Sequence, residues 1–333
     1  MPQVPGRAGE EVCYNNNAYG VAPARRESSL CDVDLAPPLR IAAMPLTSRA
    51  FHFIITFAVI ALNAGSLLSA EPESQPVLIE KQVVLFDGKT VNDLSKFYTW
   101  LEGDAYQDPK RVFTVVDQID GAPAIRLSGE IWGGIVTRDS YNRYRLIAEF
   151  RWGSVTWKAR LNLARKSGIL IHCQGADGNF KPTFDSPWMR SIEFEIFDGR
   201  TGDAVLVPGY PSRDAAERIF PRATMRALPG SQYWNPEATP REFVSGKGRL
   251  HWFGKDPDWK DVPGFRGRND IEKPSGEWNV LEAIVDRGHL IYFVNGVKVM
   301  ELTDCSLNHG RLLFQSESAE IFFRRIELHP LDR

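Results

Sequence analysis

The chain of 333 residues shows no surplus of either charge: 40 Lys and Arg stand against 42 Asp and Glu, a formal net charge of −2. Nucleic-acid binding, which needs a basic face to meet phosphates, is thereby excluded. Cysteine is scarce. Of four in all, Cys13 and Cys31 lie near the start, leaving only Cys173 and Cys305 in the rest of the chain. That is too few for a disulfide-built scaffold, and the pair leaves one disulfide or two buried thiols equally open. Dinucleotide and phosphate-loop glycine patterns are missing. So is any repeat at a solenoid or propeller period.

One apolar run stands out. Met44 is followed by Arg49, an apolar stretch from Phe51 to Leu62, small residues as far as Leu68-Ser69-Ala70, and then Glu71-Pro72-Glu73. A basic start, an apolar middle and a small residue at the cut form a secretory signal peptide over 44–70, cleaved after Ala70. The alternative is an uncleaved anchor, because about 20 residues from Ala50 to Leu68 nearly span a bilayer. Asn63, Gly65 and Ser66 weaken the far end of such a helix. Residues 1–43 precede the signal without periodicity, and a mis-assigned start at Met1 accounts for them. The expectation is an exported protein, periplasmic or extracellular, not stably inserted in a membrane, with a single domain over 80–331.

Aromatic residues are plentiful at 11%, including nine Trp. With a near-neutral charge, they make carbohydrate the fitting partner class. Over 276–328, Trp278, Val280, Leu281 and Ala283 to Val285 lead to Ile291 and Phe293, and Val297, Val299 and Leu302 follow Asn295-Gly296. Asn-Gly is the pair preferred in a two-residue type I′ hairpin turn. Fourteen strands are read between 83 and 328 from β-branched and aromatic runs bounded by Gly, Pro, Asp and Asn. Such meanders need a second sheet over their apolar faces, so the fold class is all-β, a two-sheet antiparallel sandwich. Two long stretches, 208–248 and 254–276, are read as ordered loops over a groove; they carry Tyr210, Tyr233, Trp234, Trp259 and Phe265. A short helix over 214–219 is compatible with the sequence.

The chemistry concentrates in 191–198. Alternation puts Ile192, Phe194 and Ile196 on one face of a strand and Glu193 and Glu195 on the other, about 6–7 Å apart. The preceding strand ends in His172, Trp188 enters just before the carboxylates, and Arg200 leaves just after them. Each has a structural reading as well: E-x-E on a solvated face, a satisfied core histidine, core tryptophans at 132, 157 and 188. Gln315 and Glu317 share a face at the last hairpin, and Asp177 sits in the turn after His172.

These pieces together resemble the 3-keto-disaccharide hydrolase domain family. The resemblance is carried by LFDGKTVNDLSKFYTW (85–100), GGIVTRDSYNRYRLIAEFRW (133–152), KSGILIHCQGADG (166–178), WMRSIEFEIFDGRTGD (188–203), GEWNVLEAIV (276–285), VNGVKV (294–299) and FQSESAEIFFRRIEL (314–328). It implies a jelly roll of the concanavalin-like lectin/glucanase type, acting on glycosides already oxidised to a ketone at C3. A C3 carbonyl acidifies the C2 proton, so a base can remove it and expel the C1 aglycone, with water adding later. Glu193 matches the family's pattern directly; Glu195 stands where members usually carry Gln.

The roles expected are Glu193 or His172 as base, Arg200 or a divalent cation as enolate stabiliser, and Glu195 as acid or metal ligand. Trp188, Trp132, Asp177 and Gln315 are the expected substrate contacts. Calcium or manganese could sit between Glu193, Glu195 and loop carbonyls. Two other readings stand: a non-catalytic carbohydrate-binding module, and a conventional retaining glycosidase. For the latter, Phe197 occupies the position of a third carboxylate, and Asp198 would reach that face only through a bulge.

Overall fold

A computed structural model of the chain describes residues 75–89, 94–178, 187–246 and 248–332, all within one compact unit, Leu68–Arg333. The upstream segment and the signal peptide expected over 44–70 lie outside the described residues. In chain order the strands are β1 (Val83–Phe86), β2 (Phe97–Leu101), β3 (Phe113–Ile119), β4 (Ala122–Leu127), β5 (Gly133–Thr137), β6 (Arg143–Thr156), β7 (Lys166–Gln174) and β8 (Arg190–Phe197). There follow β9 (Ala204–Val207), β10 (Arg222–Arg226), β11 (Pro240–Val244), β12 (Asn279–Asp286), β13 (His289–Val294), β14 (Val297–Leu302), β15 (Arg311–Ser316) and β16 (Ala319–His329).

They build an all-β, two-sheet antiparallel sandwich of the jelly-roll kind. One sheet runs β14-β13-β12-β6-β16-β4-β3, with β1 also on β16; the other runs β2-β5-β15-β7-β8-β9. All strand pairings are antiparallel. Strand β12 buries Leu281, Ala283 and Val285 toward the core, as its alternation predicts. The β13–β14 turn has φ of 49° at Asn295 and 83° at Gly296, the two left-handed residues that a type I′ hairpin requires. Between the sheets, Phe194 stacks on Tyr292 at 4.2 Å and 2°. Burying each such side chain contributes about 1.5–3 kcal/mol.

The differences from expectation fall in the long loops. Segment 208–248 contains the β10–β11 hairpin, and β2 precedes the first strand pair read from the pattern. Residues 249–253 are not a strand but are held by an isolated Ala204–Leu250 bridge. Residues 214–219 are a turn and bend ending in the isolated Gly209–Ile219 bridge rather than a helix; the one helical element among the described residues is the 3-10 turn Lys158–Arg160. No helix among them is long and apolar enough to cross a membrane. Cys173 and Cys305 are separate, buried free thiols.

Candidate active site

Strand β8 presents the expected two faces, yet every residue in it is buried. Ile192, Phe194 and Ile196 enter the core between the sheets. Glu193 and Glu195 point away from it, at 4% and 0% exposure, beneath the loops that cover the outer face. The covering loop 254–276 is bolted to the end of β8. Asp198 accepts hydrogen bonds from the Arg165 backbone N (2.8 Å), Arg165 Nε (2.9 Å) and Gly264 N (3.1 Å). The Trp259 indole donates to the Asp198 carbonyl at 2.8 Å, and Thr201 N donates to Glu272 at 3.0 Å. Asp198 therefore braces the roof and does not reach the carboxylate pair through a bulge.

Sheet register assembles the outer face. Gly168 of β7 lies opposite Glu195 and Leu170 opposite Glu193, while Leu313 of β15 faces Leu170 from the other side. Gln315 and Glu317 continue the outer face of β15, and Lys166 that of β7. Glycine is needed at 168: a Cβ there would stand 2.6 Å from Glu193 Oε1 and 2.9 Å from Gln315 Oε1. These two oxygens thus converge over bare backbone. Both are buried without a hydrogen-bond partner among the described residues, a condition costing about 1–3 kcal/mol per group unless a proton or ligand satisfies it.

Cations ring the pair unevenly. Arg249 Nε donates to both oxygens of Glu195 at 2.7 and 2.9 Å, Arg200 Nη2 donates to it at 3.3 Å, and Lys166 Nζ stands 3.8 Å away. Lys166 is itself bound to Glu317 at 2.7 and 2.5 Å. Arg200 is clamped between the rings of Phe197 and Trp259, at 4.6 and 4.8 Å from their centroids.

The two glutamates are driven apart. Burial, together with Glu195 and Glu317, pushes Glu193 up to about 8 against the pull of Lys166. Burial also opposes ionisation of Glu195, but Arg249, Arg200 and Lys166 outweigh it and hold that carboxyl down to about 2. Burial works against the Lys166 ammonium too, yet Glu317 and then Glu193 carry it above its ordinary value. The two guanidinium groups on Glu195 favour its ionised form, which counts against it as the acid. Nor does a calcium or manganese site fit here, since its charge is already taken by two guanidinium groups. No cluster of three or more His, Cys, Asp or Glu suited to a metal ion occurs among the described residues.

His172 is not brought to this face. A register shift after Ile171 and a φ of 57° at His172 turn the ring toward the opposite sheet, where Nε2 lies 2.8 Å from the Arg287 carbonyl. It is fully buried, which lowers its pKa to about 4. This is the core-histidine reading, and the base role falls away. Asp177 accepts from Tyr98 (2.7 Å) and Tyr106 (2.8 Å) near β2, which ties it to that strand rather than to the glutamates. Trp188 and Trp132 stack on each other at 5.6 Å; their indoles donate to the Gly133 carbonyl and Ser318 Oγ. Trp188 also lies 5.8 Å from Lys166 Nζ, so it walls the charged cluster.

The residues missed from sequence are Lys166 at the start of β7, Asp203 just before β9, and Arg249, His251 and Lys255 beyond it. Asp203 accepts from Trp252 N (2.9 Å), is 3.3 Å from Arg200, and orients His251 through Nδ1 at 2.8 Å. The ring's Nε2 is 3.5 Å from Lys255 Nζ. A signal existed: in Arg249-Leu250-His251-Trp252, the buried Leu250 and Trp252 alternate with Arg249 and His251. Arg249, 35% exposed in its side chain, and the partly exposed His251 are where the cluster meets solvent.

Solved structures similar to this chain include a candidate glycosyl hydrolase from Parabacteroides distasonis, 18% identical, covering 78% of this chain and 100% of its own, with a TM-score of 0.41. A Bacteroides ovatus GH16 protein from a mixed-linkage glucan locus is 8% identical (73% and 98% covered, TM-score 0.40). The Bacillus subtilis carbohydrate binding module CBM66 is 9% identical (72% and 98%, TM-score 0.35). No curated protein matches. Residues 81–329 match the 3-keto-alpha-glucoside-1,2-lyase-like domain, and with three quarters of its length so matched the chain belongs to that family of carbohydrate-acting, glycosidase-like proteins.

Proposed function

We propose that the protein cleaves glycosides whose sugar carries a ketone at C3, by taking the C2 proton and expelling the C1 substituent. The observation that carries this reading is Glu193: a buried carboxyl with an oxygen lacking a donor among the described residues, beside cations already committed to Glu195 and Glu317. A carboxylate destabilised by burial is a stronger base than an ordinary glutamate. In its ionised form Glu193 takes the C2 proton; the C–H pair moves into an enolate whose oxygen is met by Lys166 or Arg249. Collapse of the enolate forms a C1–C2 double bond and releases the C1 oxygen with its electron pair. His251, fixed by Asp203, is placed on the solvent side of the cluster to return a proton to that oxygen. Water then adds across the double bond.

The arrangement does not favour a double displacement. The second carboxylate of such a mechanism would be Glu195, which already holds two arginines. The test is incubation with a 3-keto-disaccharide followed by product analysis. Wild type should release the aglycone, and Glu193→Gln should lose roughly 10²–10⁴ in turnover, the range for a general base. Near-normal turnover by the variant removes Glu193 from the mechanism. Sugar release from the unoxidised disaccharide would instead select a conventional glycosidase, and binding without product a carbohydrate-binding module.

A further inference from the structure

A second feature borders the charged cluster and is not used by the proton transfers. The connection between β10 and β11, together with Phe253, encloses a cleft of about 300 Å³ lined by Leu228, Tyr233, Trp234, Pro236 and Phe253 among others. Leu228 and Phe253 are 55% and 51% exposed, an unusual outlay of large apolar surface around one depression. Trp234 forms the buried wall, edge-on to Phe253 at 5.7 Å. Lys298 braces Trp234, its Nζ 5.4 Å from the ring centroid.

The cleft and the cluster share a wall. Tyr233 lines the cleft and packs against the His251 ring at 5.0 Å, and Lys255 Nζ lies 5.7 Å from the Tyr233 centroid. His251 leads through Asp203 and Arg200 to Glu195. A group leaving from a sugar held at Glu193 therefore has this cleft beside its exit on the His251 side.

The lining also indicates what the cleft takes. Apart from the aromatic rings its polar lining is two short side chains whose oxygens each already accept a bond, Ser231 Oγ from Tyr233 N at 3.1 Å and Asn235 Oδ1 from Glu237 N at 2.9 Å. A second sugar ring needs several fresh hydrogen-bond partners for its hydroxyls. An aromatic ring needs flat apolar surface and edge-to-face neighbours, which Tyr233, Trp234 and Phe253 supply. We infer that this cleft binds the aglycone of the substrate, and that the aglycone class it selects is an aryl group. The inference rests on the 3-keto-glycoside reading for the word aglycone, and on the cleft alone for the aryl ring.

The experiment has two arms. In the first, kcat/KM is compared for phenyl 3-keto-glucoside and a 3-keto-disaccharide, in wild type and in Phe253→Ala and Leu228→Ser. Both sites are more than half exposed, so neither change tests folding. The phenyl-to-disaccharide ratio should exceed one in wild type and fall about threefold to tenfold in Phe253→Ala, the worth of one aromatic contact. An unchanged ratio overturns the inference. The second arm requires no turnover: unoxidised phenyl glucoside is titrated against tryptophan fluorescence. Saturable binding that Phe253→Ala weakens by a similar factor supports the cleft even if neither ketone is cleaved. Absence of saturable binding, or equal affinity in the variant, overturns it.

Discussion

The two faces of β8 are buried almost equally and are built on opposite principles. Inward, Ile192, Phe194 and Ile196 lose water to hydrocarbon neighbours, and each contributes to stability without requiring a particular partner. Outward, Glu193 and Glu195 lose water to a roof of loops and must be matched by charge. Glu195 is matched by Arg249 and Arg200; Glu193 is matched incompletely, and burial pushes its pKa up. A sheet that only needed stability would be served by apolar side chains on both faces. The unequal treatment of two neighbouring carboxylates is what the proposed chemistry on the outer face rests on.

The largest effect should come from the outer face. Besides the proposed loss of roughly 10²–10⁴ in turnover, Glu193→Gln should change how stability depends on pH. Because the folded carboxyl titrates near 8 rather than at its ordinary 4.5, its contribution is fully present below about 4.5 and is lost as pH rises through 8. The amide should remove that slope from denaturation curves measured between pH 5 and 9, and should cost little at pH 9. In wild type the rising limb of kcat/KM should follow ionisation of Glu193 toward about 8 and be absent from Glu193→Gln, with a falling limb set by the acid; a profile with no rising limb would contradict Glu193 as the base.

On the inner face, Phe194→Ala should cost about 3–5 kcal/mol in denaturant unfolding, because it empties the space against Tyr292. Activity per folded molecule should change little. A large loss of kcat at full folding would break the division between faces. Arg249→Met should cost about 3 kcal/mol, the low end for breaking a buried pair, since Arg249 is partly exposed and Arg200 remains on Glu195. It should also raise the acid limit of the fold. The stability gained from ionised Glu195 is present above about 4.5 and lost as pH falls toward 2, and one guanidinium fewer moves that loss to higher pH.

The smallest effect belongs to His172. Asn tolerates the left-handed backbone there, so His172→Asn should lose little beyond the bond to the Arg287 carbonyl, about 1 kcal/mol, and keep its turnover. A loss of more than tenfold would return His172 to the site.

The sheets and the E-x-E face were legible in the chain because period-two alternation records which side of a strand meets the core. His172 was misplaced for a related reason. One register shift after Ile171 reverses the side on which the next residue emerges, and nothing in Ile171-His172-Cys173 announces it. Asp203, Arg249, His251 and Lys255 approach from a bridge and loops whose pairing is tertiary. The alternation in 249–252 was visible, but only the Ala204–Leu250 bridge turns it into a neighbour of β8. The role of Glu195 was legible only with its partners: an E-x-E pattern followed by Arg200 gives no sign that Arg249, 54 residues after Glu195, will join it on the same carboxylate.

The most direct test is a pH titration of the carboxyl carbons by NMR in wild type and Glu193→Gln, with the same titration in a Glu272→Gln variant, because burial pushes Glu272 up to about 8 as well. The account predicts a glutamate signal with a midpoint near 8 that disappears only in Glu193→Gln, while Glu195 stays ionised down to about 2. If every glutamate other than Glu272 has released its proton by pH 6, Glu193 is an ordinary carboxylate and the proposed base is contradicted.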